Sequence, residues 1–328
     1  MSGKKKLKVT LPKGSLEQKI MEFFKSAGYT ITGDPRGYRP AINDEEIEIK
    51  MLRPQEIPKY LIGDEGFDLG VTGQDWVKEN KADIAQVLDL ETGKVRIVFC
   101  VPDLPGFWEK VKNLTTFIEE FHRLGKPIRI STEYINTSIA YLMNNPAYKK
   151  YWEDAVPEVI TPWQTWGTNP DVKIFLSFGA TEAKPPDEVD AIIDNTETGT
   201  TIRANKLKII EEVDKSSAIL VANKTSMQDE WKREKIMDIA MLCRGVIEAQ
   251  NKLHIFINVH ERNLKKVLEV LPSLKGPTVS KLMGKEEGWY GVNTIISQEN
   301  FLKIITQLRK LAQGLVVQTP RQILPLES

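Results

Sequence analysis

The run from Asp190 to Asn205, Asp190-Ala-Ile-Ile-Asp194 followed by Asn195-Thr-Glu-Thr-Gly-Thr-Thr201-Ile-Arg-Ala-Asn205, constrains this chain more than any other stretch. It opens as a buried strand, turns in a loop of Thr and Gly, and continues as a helix. A strand handed to a helix through a tight loop builds α/β layers. The loop offers backbone N–H groups and hydroxyls at a helix N-terminus, where the helix dipole favours a phosphate. Asp194 closes the strand, where a carboxylate accepts hydrogen bonds from sugar hydroxyls, holds a cation, or simply caps the turn. A phosphate cradle beside a carboxylate suits a phosphorylated ribose.

The same alternation recurs along the chain. Lys8–Leu11 reads as a strand, Pro12-Lys13-Gly14-Ser15 as a turn, and Ser15 as the cap of a helix to about Ala27. Glu48–Leu52 reads as a strand, and a helix is expected from Arg53 with Pro54 in its first turn. Asp68–Gly73 runs into a Gly turn and Gln74-Asp75-Trp76-Val77 opens the next helix. A second lobe is expected to begin near Val101-Pro102. Its clearest strand is Pro127–Ser131, followed by Thr132-Glu133-Tyr134 and a helix through Ile139–Leu142. Residues 144–172, rich in Pro, Trp and Asn, give no assignable pattern. Ser217–Ala222 reads as a strand returning to the first lobe. The alternation predicts mostly parallel sheets, which bind ligands at the carboxyl ends of their strands.

A long helix is expected from Ser226 through Cys243 to about Gln250. The tail then reads strand, helix, strand, strand, helix, strand, the ferredoxin-like βαββαβ order. The expected division is 1–100 with 208–225 as one lobe, 101–207 as the second, and 226–328 as linker helix and tail module.

With 328 residues the chain has room for about two to three domains. Lys+Arg and Asp+Glu both total 45, which argues against a broad nucleic-acid surface. Lys4-Lys5-Lys6 reads as a solvated start. The two cysteines, Cys100 and Cys243, stand far apart in apolar surroundings and read as reduced core thiols. No apolar run approaches the roughly 20 residues of a membrane helix, and the charged start does not resemble a secretory signal. A cytoplasmic enzyme or binding protein is expected.

The predicted strand ends supply cations (Lys13, Arg53), carboxylates (Asp75, Asp194) and the amides of Thr198–Thr201. Plainer readings stand beside each: Lys13 as a solvated turn residue, Arg53 as a structural ion pair, Asp75 as a helix-start carboxylate. The chain has neither a Walker-type Gly-Lys-Ser/Thr loop nor the spaced glycines of a dinucleotide fold.

Taken in order, these segments resemble the long form of ATP phosphoribosyltransferase. Asp190–Leu207 is similar to the family's phosphoribosyl-pyrophosphate signature. Phe67–Asp75, Leu52-Arg53-Pro54 with Ile57, Leu11-Pro12-Lys13-Gly14 and Gly179-Ala180-Thr181-Glu182 are similar to further blocks, and Leu271–Thr278 to the hallmark of the histidine-sensing domain. The resemblance implies a two-lobed, periplasmic-binding-protein-like catalytic domain with a C-terminal ferredoxin-like regulatory domain. It implies transfer of phosphoribose from phosphoribosyl pyrophosphate to N1 of ATP with release of pyrophosphate, using Mg²⁺, as the first step of histidine biosynthesis. It also implies inhibition by histidine and dimers assembling to hexamers. By the same resemblance, Asp194, Thr196, Glu197, Thr198, Gly199, Thr200 and Thr201 bind phosphoribosyl pyrophosphate. Leu11, Lys13, Gly14, Asp34, Arg53, Gly73, Asp75 and Tyr134 are the expected ATP residues. Lys13, Arg53 and Asp194 are the expected catalytic ones, and Asn258, Leu274 and Thr278 the histidine site.

Three departures stand out. Residues 144–172 are long and carry Trp152, Trp163 and Trp166. Glu197 sits inside a loop meant for anions, which is unfavourable unless it points away or binds Mg²⁺. Leu315, after Ala312-Gln313-Gly314, is bulky enough to narrow a histidine pocket. Two alternatives differ in kind: a non-enzymatic two-lobed binding protein, which needs no phosphate cradle, and a phosphoribosyltransferase for another base. The commoner enzymes of the latter type carry two adjacent acidic residues where this chain has Asp194-Asn195.

Overall fold

The computed structural model describes residues 5–63, 66–271, 276–284 and 286–324. Lys4 of the basic start, Pro272–Lys275 of the sensing hallmark, and with them Leu274, lie outside the described residues. Two compact units emerge. One comprises the described residues up to Lys19, with Gly33–Ala41 and Glu45–Arg233; the other comprises Ile20–Thr32, Ile42–Asp44 and the described residues from Glu234 on. The expected tail module starting at 226 is thus joined by two short early segments.

The first unit holds two sheets. In the first, the strand order is Ile47–Leu52, Leu7–Pro12, Leu69–Gly73, Ala218–Ala222, Ala85–Asp89. The first three are parallel, and Ala218–Ala222 runs antiparallel to both its neighbours. In the second, the order is Thr165–Trp166, Pro157–Ile160, Asn169–Leu176, Ile128–Thr132, Ala191–Thr196, Val95–Pro102, Leu207–Ser216. Four of these, from Pro157–Ile160 to Ala191–Thr196, are parallel. This is the expected two-lobed α/β plan.

The lobe boundaries fall elsewhere than expected. Val95–Pro102 and Leu207–Ser216 both pair within the second sheet, so the chain crosses between Asp89 and Val95 and returns at Ser217. The reason is visible in the sequence Val95-Arg-Ile-Val-Phe-Cys-Val101. Ile97 to Val101 are fully buried, as in a strand covered on both faces, so the whole run belongs to one sheet. The lobe changes at the turn containing Gly93, whose φ of 61° is left-handed.

Other expectations shift locally. The helix expected from Arg53 starts only at Ile57, with Pro58 rather than Pro54 in its first turn. Pro54 is buried, and its carbonyl accepts the Thr72 hydroxyl at 2.7 Å. Residues 144–172 are regular after all. Asn145 caps the helix Pro146–Trp152, and Pro157–Ile160 and Thr165–Trp166 extend the second sheet.

The helix Glu230–Ala249 begins four residues later than expected. In the tail, Lys252–His260, Thr278–Lys281, Trp289–Ser297 and Gly314–Gln318 form an antiparallel sheet. The helices Glu261–Val270 and Gln298–Leu311 pack with it around Ile255, Ile257, Val259, Val267 and Leu308. This is the βαββαβ module. No helix among the described residues is long and apolar enough to cross a membrane.

Candidate active site

The strand Ala191–Thr196 buries Ala191, Ile192 and Ile193 and delivers Asp194 to the second sheet's carboxyl edge. The Thr196 hydroxyl accepts the Gly199 N–H at 2.9 Å and closes the loop. Gly199 caps the next helix with φ 75°, a left-handed conformation that favours glycine, and its bare Cα lies close to Arg203 Nη1. The helix, Thr200–Ala204, is a single turn; Asn205 ends it by donating to the Thr201 carbonyl at 2.9 Å. The Thr198 and Thr200 hydroxyls lie 2.8 Å apart. With Glu182, Asp194, Thr196 and Thr201 they line a cavity of about 250 Å³. Of the sequence-expected cradle residues, all but Gly199 line this one cavity.

Glu197 also lines that cavity, with its carboxylate tied to the facing lobe. Its carboxylate pairs with the Lys19 ammonium at 2.8 Å, both exposed. The anion in the loop is thus answered by a cation from the first-lobe helix. Burial pushes the Asp194 carboxyl up to about 6, and the charges of Glu182 and Glu133 add to this. Hydrogen bonds from the Asn195 N–H, at 2.7 Å, and from the Thr181 hydroxyl work the other way.

In the first lobe the strand ends bring Lys13, Gly14 and Arg53 together. The Lys13 N–H donates to the Leu52 carbonyl at 2.7 Å. Its ammonium is held by Glu17 and by the Pro35 carbonyl, each at 2.6 Å. Gly14 has φ 102°, and a Cβ there would approach Arg53 Nη1 to 2.7 Å, so the guanidinium covers a bare backbone. Burial works against ionisation of Glu17. Hydrogen bonds from Lys13 and the Gly14 N–H, with the Lys13 and Arg53 charges, leave its carboxyl below the usual range. Arg53 is exposed. Asp34 is exposed in the neighbouring turn, where its carboxylate accepts the Arg36 N–H at 2.7 Å.

Three of the expected ATP residues are placed otherwise. Leu11 is fully buried and serves the core. Tyr134 is fully buried and Asp75 is 7% exposed. The Tyr134 hydroxyl donates to Asp75 Oδ2 at 2.8 Å and accepts from Asn195 Nδ2 at 2.8 Å. Its ring stacks on Trp76 with centroids 4.5 Å apart. Asp75 Oδ1 accepts the Ser216 hydroxyl at 2.8 Å. Asp75 and Tyr134 spend their polar atoms inside the protein, joining one lobe to the other. Gly73 belongs to this arrangement, because a Cβ on it would overlap Asp75 Oδ1.

Sequence reasoning missed several residues. Glu79 accepts the Asn136 and Thr137 N–H groups and caps the second-lobe helix Ile135–Met143; nothing local in the sequence links residues 57 positions apart. Lys94, Arg96 and Lys215 line a second cavity of about 370 Å³ that also reaches Glu197. Lys184, beside the Gly179–Glu182 block, was also passed over. In the tail, Leu315 pairs with Ile257 and packs into the module's core. It therefore does not narrow the face bearing Asn258, whose cross-strand neighbours are Gly291 and Gly314. Asn258 and Thr278 are both exposed on that other face.

A loop of this build, edged by a carboxylate and tied to Lys19 of the facing lobe, suits a transferase of the phosphoribosyl class. The family model for ATP phosphoribosyltransferase matches residues 53–245, and that for the HisG C-terminal domain matches residues 249–319. The chain belongs to the ATP phosphoribosyltransferase family, whose activity is the first step of histidine biosynthesis. The ATP phosphoribosyltransferase of Solibacter usitatus is 40% identical over 319 residues, 96% of this chain and 97% of that one. That of Chlorobium phaeobacteroides is 37% identical over 316 residues, 94% of each. A chain of the ATP phosphoribosyl transferase (HisG:HisZ) complex from Thermotoga maritima superposes with a TM-score of 0.53 at 27% identity. The match covers 74% of this chain and 98% of that one.

Proposed function

We propose that the Asp194–Thr201 pocket binds phosphoribosyl pyrophosphate and that adenine N1 of ATP displaces its pyrophosphate. The observation that carries this reading is the closed loop in which Thr196 holds Gly199 and the Thr198 and Thr200 hydroxyls converge. Those hydroxyls and the adjoining amides take the 5′-phosphate. Asp194, ionised above about 6, accepts the ribose hydroxyls and faces the positive charge that grows on the sugar. Arg53 and Lys13 meet the polyphosphates, where negative charge builds as the leaving group departs. Lys13 exchanges its Glu17 partner for phosphate oxygens to do so. No side-chain nucleophile is needed, and positioning does most of the work.

Mg²⁺ enters with the substrate. The described residues contain no cluster of three metal-ligating side chains, and Mg²⁺ characteristically takes phosphate oxygens and water with one or two carboxylates. Histidine binds the tail module on the face of Asn258 and Thr278 and slows the enzyme. The working form is an oligomer built from dimers, in the cytoplasm. Calorimetry of Thr200→Trp, which fills the cradle, tests the loop: phosphoribosyl pyrophosphate binding disappears, and its survival would overturn the assignment.

A further inference from the structure

Trp163 and Phe178 are the two most exposed aromatic side chains among the described residues, at 67% and 70%. Their rings meet, with centroids 6.0 Å apart and planes inclined by 40°. Two large apolar rings left side by side in water mark a surface that takes a partner.

Both rings are held out on fixed backbone. Trp163 stands at the tip of the hairpin joining Pro157–Ile160 to Thr165–Trp166. Thr161 closes that tip. Its N–H and hydroxyl both donate to the Gln164 carbonyl at 2.9 Å, and its Oγ1 accepts the Gln164 N–H at 3.1 Å. Phe178 follows the strand Asn169–Leu176 by way of Ser177, which is almost fully buried. Ser177 Oγ accepts from the Lys184 ammonium at 2.7 Å and donates to the Gly179 carbonyl at 3.3 Å. The serine fixes the turn from inside while the next ring faces water.

Their place in the sheet says what the partner is. Pro157–Ile160, Asn169–Leu176, Ile128–Thr132 and Ala191–Thr196 run parallel. Trp163, Phe178 and Asp194 therefore all sit at the carboxyl edge, where ligands bind. Only Ile128–Thr132 separates the strand before Phe178 from that of Asp194, a distance of two strand spacings, about 10 Å. Glu182, in the turn that follows Phe178, lines the phosphoribosyl cavity itself. From the first lobe, Gln55 Nε2 reaches Glu133 Oε2, just past the end of Ile128–Thr132, at 3.3 Å. Arg53 stands two residues before Gln55. A triphosphate on Arg53 thus starts near the strand end that lies between the sugar pocket and the ring pair. Glu133 and Glu182 make this rim acidic, which repels phosphates and suits a neutral base with an exocyclic amine.

We propose that Trp163 and Phe178 form the adenine platform: the base lies against the ring pair while its triphosphate reaches Arg53 and Lys13. The inference rests on the reading of the Asp194–Thr201 pocket as the phosphoribosyl site. Tyr134, fully buried, offers the base no free face, and this pair supplies one. As adenine N1 gives its lone pair to the sugar carbon and the carbon–oxygen bond to pyrophosphate breaks, positive charge spreads over the base. Aromatic faces attract a cation, so the platform suits the base during transfer as well as before it.

The test is steady-state kinetics of the full-length enzyme, with circular dichroism to verify folding and sedimentation to follow assembly. Trp163→Ala and Phe178→Ala each raise KM for ATP about tenfold while leaving that for phosphoribosyl pyrophosphate within about twofold. Inhibition by tripolyphosphate, which has the anion without the base, does not change. Trp163→Phe and Phe178→Tyr, which keep a ring, retain most of the affinity. An unchanged KM for ATP in both alanine variants, or an equal rise in both KM values, overturns the inference. A change of assembly with KM for ATP intact also overturns it, and makes the pair a contact between copies of the chain. Should Phe178→Ala fail to fold, Trp163→Ala on its separate hairpin decides alone. Thr200→Trp separates the two levels. If it leaves phosphoribosyl-pyrophosphate binding intact, the cradle reading falls and this inference with it. If it abolishes that binding while the alanine variants leave KM for ATP in place, only the platform falls.

Discussion

Glu79, on the first-lobe helix Gln74–Glu79, accepts the backbone N–H of Asn136 at 2.8 Å, at the start of a second-lobe helix. Its other carboxylate oxygen takes the Thr137 N–H and hydroxyl at 3.0 and 2.9 Å. Tyr134, the residue in the capping position, contributes no side-chain cap of its own. Glu79 is an N-cap lent by the opposite lobe. Glu79→Ala strands two half-buried N–H donors, for which the cost of a fully buried donor, about 1–3 kcal/mol each, is an upper bound. The expected loss of stability is about 2–3 kcal/mol by urea denaturation, with Glu79→Gln keeping about half. A loss under about 0.5 kcal/mol would show that the cap does no structural work.

Gly73→Ala forces the Asp75 carboxylate away from its bonds to Ser216 and Tyr134. The variant should fall by about 2 kcal/mol or more in stability and lose kcat, because the joint that holds the two substrate edges in register is disturbed. Tyr134→Phe removes one of these bonds and should cost less than Gly73→Ala. The reverse order, measured by thermal melts, would count against Gly73 as the keeper of Asp75.

Asp194 sets a pH dependence whose sign follows from its direction. Its folded-state pKa, about 6, is raised from 3.8. The protonated form is therefore favoured by the fold, and that contribution to stability is complete below pH 3.8 and lost as pH rises through about 6. Substrate binding runs oppositely, strengthening across the same window as the carboxylate ionises. Asp194→Asn should flatten both trends. Stability and phosphoribosyl-pyrophosphate affinity measured from pH 4.5 to 7.5 give the comparison.

Glu197→Gln should barely change affinity for phosphoribosyl pyrophosphate, within about twofold, and should cost under about 1 kcal/mol of stability. Its exposed pair with Lys19 is worth little in water. A large loss of substrate binding in calorimetry would mean that the carboxylate works inside the cradle.

In the tail, Leu315→Ala should destabilise the module by about 2 kcal/mol through lost core packing yet leave histidine affinity unchanged. Asn258→Ala should do the opposite. Equal effects of the two on histidine binding would contradict the assignment of faces.

The sequence carried the strand-loop-helix of Asp190–Asn205 and the tail module almost whole, because both are local patterns: an apolar run, a Gly turn, a period. The turn at Gly199 was readable for the same reason. Leu11, Asp75 and Tyr134 were not. Each sits in a block resembling a nucleotide site, but which way a side chain points depends on partners such as Ser216 and Asn195, 141 and 61 residues distant. The lobe boundary slipped because Val95–Val101 had to be weighed as a two-sided strand, and only the sheet pairing shows both faces covered. Glu197 illustrates the limit differently: its identity posed the right question, and Lys19, far along the chain, supplied the answer.

The helix Gln74–Glu79 ends one lobe's chain turn but has its carboxylates satisfied by the other's backbone and hydroxyls. Neither sheet can melt while its neighbour stays intact without exposing those charges to a partnerless interior. Two sheets that look like separate domains should therefore unfold in a single cooperative transition. A domain cut made through the Thr92–Lys94 turn, attractive on connectivity alone, would divide one folding unit in two.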